Sequence, residues 1–393
     1  MEQEKTKLLL KSSSKNWGDG QARTVTLVIT EDCQLRCKYC YLHGKNKVNK
    51  MDFETAKNAL EYIFSNRTFF NEKSVIFDFM GGEAFLEIDL VDKISDYIKK
   101  RLYELDHPWF NSYRFSFTTN GILYDNIKVQ NYIRKNKTHV SIGLTIDGTK
   151  RKHDLNRVYL DGRGSYDDVV RNVPLWLKQF PDSSTKVTVA SDDLKYIKES
   201  ILHLWSLGIK GVNINVVFEN VWKKGDDKIL EEELKSLADY IIDNELYQEY
   251  NCSFFAGFIG KKMSANENQN WCGSGKKMIA VDHKGDFYPC NRFLPFSMAN
   301  KKSRSVGNYI DGLDLNRLRP FDALDRITQS KQECLDCEIA SGCALCVGLD
   351  YDDADTDTIY QRAVHICDMH KARVRANDYY WERMKNEKGI ERQ

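Results

Sequence analysis

An alternation along the first two-thirds of the chain most narrows what it can fold into. Runs of β-branched and aromatic residues occur at TVTLVIT (24–30), SVIFDFM (74–80), YRFSFTT (113–119), HVSIGLTI (139–146), TKVTVA (185–190) and GVNINVV (211–217). Segments of helical period separate them. ETAKNALEYIF (54–64) sets Ala56, Leu60 and Phe64 on one stripe beside Ala59 and Ile63, and VDKISDYIKKRL (91–102) does the same with Val91, Ile94, Ile98 and Leu102. Strand followed by helix, repeated, predicts βα units around a parallel sheet. Periodicity alone leaves an open sheet and a curved partial barrel equally open. After EEELKSLADYIIDNELYQEY (231–250) the texture shifts to glycine and short turns, and eight of the eleven cysteines lie between Cys252 and Cys367. A domain boundary is therefore expected near 225–250.

Charge excludes some partners. Lys plus Arg number 58 against 57 Asp plus Glu, so no global field favours nucleic acid or an anionic membrane. The start, MEQEKTKLLLKSSSK, has a three-residue apolar run, too short for a signal peptide or a spanning helix. A cytoplasmic location is expected, where thiols stay reduced. Eleven cysteines there point to metal or redox chemistry rather than a disulfide framework.

ITEDCQLRCKYCYLHG (29–44) places Cys33, Cys37 and Cys40 directly after the first strand, at spacing CxxxCxxC. Loops at the C-terminal ends of strands are where α/β proteins build active sites. Three thiolates on one loop hold three corners of a [4Fe–4S] cluster and leave the fourth iron without a protein ligand. An open coordination position is what separates a catalytic metal from a structural one. The alternative is zinc, with His43 as the fourth ligand, or three incidental thiols.

The CxxxCxxC loop, with aromatic Tyr39 before the last cysteine, resembles the radical S-adenosylmethionine (SAM) superfamily. The resemblance implies a partial (β/α)6 TIM-like barrel whose open iron chelates the amino and carboxylate groups of SAM. It also implies reductive cleavage to a 5′-deoxyadenosyl radical that abstracts hydrogen from a substrate, fed by an external electron donor such as a flavodoxin or ferredoxin. MGGEAF (80–85) is similar to the family's GGE motif, which assigns Gly81, Gly82 and Glu83 to SAM binding. FTTNG (117–121) and LTIDGTKRKHDLNR (144–157) resemble SAM-pocket segments, adding Asn120, Thr145, Asp147 and Arg157, and Tyr39 is expected at the adenine. A planar Arg157 suits the SAM carboxylate.

The later cysteines read Cys272-x12-Gly285-x4-Cys290, Cys334-x2-Cys337-x5-Cys343-x2-Cys346 and Cys367. This is similar to the seven-cysteine SPASM domain with two auxiliary [4Fe–4S] clusters, three clusters in all. The chain departs in having two residues, Ala344 and Leu345, where the family usually has three. A zinc ribbon is the alternative, and it leaves odd thiols over. The family's interleaving implies that Cys334, Cys337, Cys343 and Cys367 complete one cluster, while Cys272, Cys290 and Cys346 hold the other. Cys252 is either that cluster's fourth ligand or a buried inert thiol. Without Cys252 that cluster has an open iron too, suited to a substrate thiolate. The expected organisation is an N-terminal extension (1–22), a radical SAM barrel (23–235) and a SPASM domain with a C-terminal helix (236–393).

SPASM enzymes mostly modify peptides or proteins. Anaerobic sulfatase maturases carry an aspartate after the cysteine of the GxxxxC segment, where this chain has Asn291, which cannot accept a proton as a carboxylate does. KHDLNRVYLDGRGSYDDV (152–169), NWCGSGK (270–276), ALDRITQS (323–330) and DADTDTIYQRA (353–363) look similar to maturases of CXXX-repeat peptides, of the ranthipeptide and sactipeptide kind. The expectation is an enzyme that joins Cys sulfur to carbon as thioethers in a ribosomal precursor peptide. Only about 22 residues precede the first strand, too few for a winged-helix leader-binding domain, so a separate leader-binding protein is a candidate partner. Sulfatase-type Cys or Ser oxidation, carbon–carbon cyclisation and epimerisation are alternatives on the same scaffold, and a non-catalytic zinc or electron-transfer protein is an alternative of another class. No general base can be assigned among Asp282, Asp286 and Glu219 from sequence.

Overall fold

The computed structural model describes residues 22–264, 267 and 272–392, so residues 1–21 of the expected N-terminal extension lie outside the described residues. Four parallel strands, β1 (Ala22–Thr30), β2 (Ser74–Gly81), β3 (Tyr113–Thr119) and β4 (Val140–Leu144), neighbour one another in chain order. Strands β5 (Ser184–Val189) and β6 (Gly211–Val216) continue the parallel series beside a short β7 (Asn251–Cys252). A single parallel bridge, Thr145 to Lys186, carries the series from β4 to β5. The result is a partial barrel of parallel strands with helices on its outer face.

Helices α1 (Phe53–Ser65), α2 (Ile88–Glu104) and α3 (Ile127–Lys135) cover the outer face. Two of them begin at a side-chain cap: the Asp52 side chain accepts the Thr55 N–H at α1, and Asn126 accepts from Lys128 N at α3. Their apolar stripes pack on alternate strand residues, so Val75, Phe77 and Phe79 of β2 are buried, whereas Ile76, Asp78 and Met80 face the lumen and are only partly covered.

The cysteine-rich part joins the same sheet. Strand β8 (Met278–Val281) pairs parallel with β1 on its free side, and β9 (Asp286–Tyr288), β10 (Gly307–Asn308) and β11 (Gly312–Leu313) follow antiparallel. Gly285, at φ +84°, turns the β8–β9 hairpin in a conformation that favours glycine. The expected boundary at 235/236 falls inside helix Asp226–Asp243. The C-terminal helix Cys367–Lys388 lies along that helix, with Tyr379 and Arg383 both reaching Asp239 at 2.7 Å. Among the described residues, no helix is long and apolar enough to cross a membrane.

Candidate active site

The Cys33–Cys40 loop leaves the end of β1 and is clamped from two sides. Gly82 N and Glu83 N donate to Thr30 O (2.9 Å) and Asp32 O (2.8 Å). A Cβ on Gly81 would stand 2.1 Å from Thr30 O, and one on Gly82 2.1 Å from Asp32 O, so only glycine admits this approach. Opposite, Arg36 N donates to Val158 O (2.7 Å) and Lys38 N to Asn156 O (2.9 Å). The two glycines thus dock the cysteine loop itself. Glu83 is buried and accepts from Thr119 Oγ1 (2.9 Å), Asn120 N (2.8 Å) and Phe85 N (3.2 Å), tying the ends of β2 and β3 together. Asn120 Nδ2 reaches Gln34 Oε1 at 3.0 Å and lies 3.8 Å from Cys33 Sγ.

The thiols fit soft-metal ligation. Burial pushes Cys33 up to about 11, with Lys45 opposing, and burial raises Cys37 against the pull of Arg157 and Lys45. A bound iron cluster would displace those protons, and Lys45 and Arg157 would offset part of the resulting negative charge.

Tyr39, Asp147 and Arg157 meet in one network. Tyr39 Oη donates to Asp147 Oδ2 and accepts from Arg157 Nη1 at 3.0 Å, and Asp147 Oδ1 accepts the Thr188 N–H at 2.9 Å. Burial opposes ionisation of Asp147, but Lys152, Arg157 and the Tyr39 hydrogen bond outweigh it and hold the carboxyl below its ordinary range. Arg157 is buried, and its Nε has no hydrogen-bond partner. An orphaned guanidinium donor at a cavity wall fits the carboxylate of an amino-acid ligand such as SAM.

That cavity, about 380 Å³, is lined by Tyr39, Cys40, Thr145, Arg157, Glu219 and Cys346, among others. Seven residues predicted from the C-terminal pattern divide in space. Cys334, Cys337, Cys343 and Cys367 line a second cavity of about 310 Å³. Cys272, Cys290 and Cys346 lie close enough to perturb one another's charge. Among the described residues, no group of three or more His, Cys, Asp or Glu is gathered as around a single metal ion. Four thiols around one cavity are a soft donor set of the kind that an iron–sulfur cluster uses. Cys252 packs in the core, its thiol pushed up to about 12 by burial, and the charged side chain it senses is Arg373.

Of the base candidates, Asp282 accepts from Lys284 N and Asp286 N within the β8–β9 turn, while Glu219 borders the 380 Å³ cavity. Sequence reasoning missed Asp78, Lys186, Tyr41 and Arg292. Asp78 was signalled by a charge in the middle of an otherwise largely apolar strand run, and Lys186 by a charge near the start of one. Lys186 opens into the cavity, and the enclosing walls pull its ammonium below the ordinary value. Burial pushes Asp78 up to about 6, against a Ser116 hydrogen bond and the Lys186 charge.

The geometry agrees with what the chain resembles. Residues 27–190 match the family model of the Radical SAM superfamily. An uncharacterized protein of Methanocaldococcus jannaschii is 30% identical over 201 residues, 51% of this chain and 64% of that protein, so the match spans less than two-thirds of its length. The radical SAM cyclopropyl synthase TigE of Paramaledivibacter caminithermalis is 21% identical over 84% of this chain and 68% of its own. A cysteine-type anaerobic sulfatase-maturating enzyme of Clostridium perfringens is 24% identical over 67% of this chain and 72% of its own. In fold, the structure of native anSMEcpe with bound AdoMet superposes at TM-score 0.68, with 18% identity over 92% of this chain and 98% of that one. Streptococcus suis SuiB bound to precursor peptide SuiA gives 0.59, with 14% identity over 86% and 74%. Residues 27–190 of the chain thus match a radical SAM domain.

Proposed function

We propose that this enzyme is a peptide maturase that forms thioether cross-links between Cys sulfur and carbon in a ribosomal precursor peptide. The observation that carries the reading is the 380 Å³ cavity, bordered at once by Cys40 of the loop after β1 and by Cys346 of the C-terminal set. Joining sulfur to carbon turns one S–H and one C–H bond into one C–S bond, and removes two hydrogens. SAM and three [4Fe–4S] clusters, when bound, supply hydrogen-atom abstraction at one wall of this chamber and a sink for the second electron at the other.

The chain's own residues divide the remaining work. Cys33, Cys37 and Cys40 hold the SAM-binding cluster. Cys334, Cys337, Cys343 and Cys367 hold one auxiliary cluster, and Cys272, Cys290 and Cys346 the other, with a position free for the substrate thiolate. Arg157, oriented by Tyr39 and Asp147, clamps the SAM carboxylate, and Asn120 and Thr145 complete the polar wall. Gly81, Gly82 and Glu83 fix the loop that carries the cluster. Glu219 takes the thiol proton. SuiB, similar in fold, has been crystallised with its precursor peptide, which supports a peptide as substrate. Electrons come from a flavodoxin- or ferredoxin-like donor.

Oxidation of a single Cys or Ser side chain is the second reading, favoured by the sulfatase-maturating relatives. Asn291 speaks against it, because its Nδ2 donates to Tyr41 Oη at 2.7 Å and it has no carboxylate to act as base. The experiment is anaerobic incubation of the reconstituted enzyme with SAM, reductant and the Cys-containing peptides encoded beside its gene. Loss of two hydrogens with the cysteine no longer open to alkylation, and fragment ions spanning a cross-link, is the expected result. Conversion of a Cys or Ser to an aldehyde overturns the thioether reading.

A further inference from the structure

Between the two cysteine sets stands a side chain that the reading above does not use. Arg292 follows Cys290 by two residues and lines the 380 Å³ cavity together with Cys40 and Cys346. Its Nη2 donates to Glu219 Oε1 at 2.7 Å. Its Cζ lies 4.3 Å from the centroid of the Tyr41 ring, and Tyr41 directly follows Cys40. The neighbouring Asn291 holds the Tyr41 hydroxyl. Contacts therefore run from the residue after Cys40, through the Tyr41 ring, to the Arg292 guanidinium on the cavity wall that Cys346 also lines.

The surroundings are shaped to this side chain. Gly348, two residues past Cys346, lies against the Arg292 stem, and a Cβ there would come 2.4 Å from Arg292 Cβ. Any other residue would push the guanidinium away from Cys346.

We propose that Arg292 is a positioning residue that sets the electron affinity of the auxiliary cluster held by Cys272, Cys290 and Cys346, and fixes that cluster against the Cys40 loop through Tyr41. The inference rests on the proposed cluster assignment. A cation beside a cluster stabilises the more negative, reduced state and so raises the reduction potential. Glu219 moderates that effect by neutralising part of the charge. An acceptor placed for the second electron of carbon–sulfur bond formation needs such tuning, because its potential decides whether it takes that electron from the substrate.

The test uses the full chain in a Cys33/Cys37/Cys40→Ala background, so that only auxiliary clusters are read. Iron content and electron paramagnetic resonance during a redox titration are measured for this parent, for Arg292→Gln and Arg292→Lys, and for Glu219→Gln. A parent with two clusters establishes the assignment independently of Arg292; a parent without them removes the assignment, not merely the tuning. With two clusters retained, Arg292→Gln is expected to move one cluster to a more negative potential and Glu219→Gln to move the same cluster the other way. Arg292→Lys, which keeps the charge without the planar fork, falls between parent and Arg292→Gln. The opposite signs mark electrostatic tuning, which a loosened loop does not produce. Unchanged potentials in Arg292→Gln and Glu219→Gln, or shifts of the same sign in both, overturn the proposal.

Discussion

Tyr39 and Asp147, 108 residues apart in the chain, share a hydrogen bond at the wall of the cavity, and the same phenolic oxygen accepts from Arg157. One residue comes from the cysteine loop and the other two from the segment after β4. The bond fixes the Arg157 fork while its Nε stays unpaired. A guanidinium held this way is pre-organised for a carboxylate, because little of its freedom remains to be lost on binding.

Arg157→Gln is therefore expected to weaken SAM binding by about 10- to 100-fold, the loss of a charge-assisted hydrogen bond of about 1.5–3 kcal/mol. Tyr39→Phe removes only the orienting hydroxyl and is expected to cost about tenfold or less. Equilibrium SAM binding to reconstituted protein, with iron content unchanged, checks both. Wild-type affinity in Arg157→Gln would remove this residue from the SAM site.

His153 gives the site a pH dependence of stability. Its Nδ1 accepts the Asp147 N–H at 3.2 Å and its Nε2 lies 3.0 Å from Ser165 Oγ, so both nitrogens are committed to the neutral ring. Burial, assisted by Arg157, pulls its pKa down to about 3. The unfolded chain protonates this histidine near pH 6.5 while the folded one resists. The stabilisation is full above pH 6.5 and falls as pH drops toward 3, with a slope approaching about 1.4 kcal/mol per pH unit. Denaturant titrations between pH 7.5 and 5 on wild type and His153→Gln are expected to differ in slope by about one proton. Equal slopes would contradict the neutral, buried histidine.

Gly82→Ala tests the docking of the cysteine loop. The new methyl would meet Asp32 O and lie 2.8 Å from Cys33 Cβ, so the loop must move. An unfolding free energy lower by about 1–3 kcal/mol is expected, together with iron loss confined to the site of Cys33, Cys37 and Cys40. Full iron and normal stability would show that the loop is not held there.

Much of this was legible in the chain. Strand runs 74–80 and 113–119 match Ser74–Gly81 and Tyr113–Thr119 to within a residue, because β-branched and aromatic residues were bounded by turns. The join between β1 and β8 was not legible: Met278–Val281 is four residues long and its partner lies some 250 positions earlier. Spacing located the cysteine loop, but it did not show that Gly81 and Gly82 serve that loop's backbone. Arg292 and Tyr41 stayed hidden because each is ordinary in sequence, and only folding puts the guanidinium over the ring.

Cys252 separates a core thiol from a ligand. Its burial in β7 predicts that Cys252→Ala keeps every iron atom and lowers stability by about 1–2 kcal/mol, a packing loss. Iron analysis and denaturant unfolding of that variant check it. A drop of about a third in iron would make Cys252 a ligand.

The most direct test of the account is iron and acid-labile sulfide per chain on anaerobically purified protein, by elemental analysis and Mössbauer spectroscopy. Three [4Fe–4S] clusters predict about 12 iron atoms, falling by about a third in a Cys33/Cys37/Cys40→Ala variant. Zinc in place of iron, or iron unaffected by the triple substitution, would contradict it.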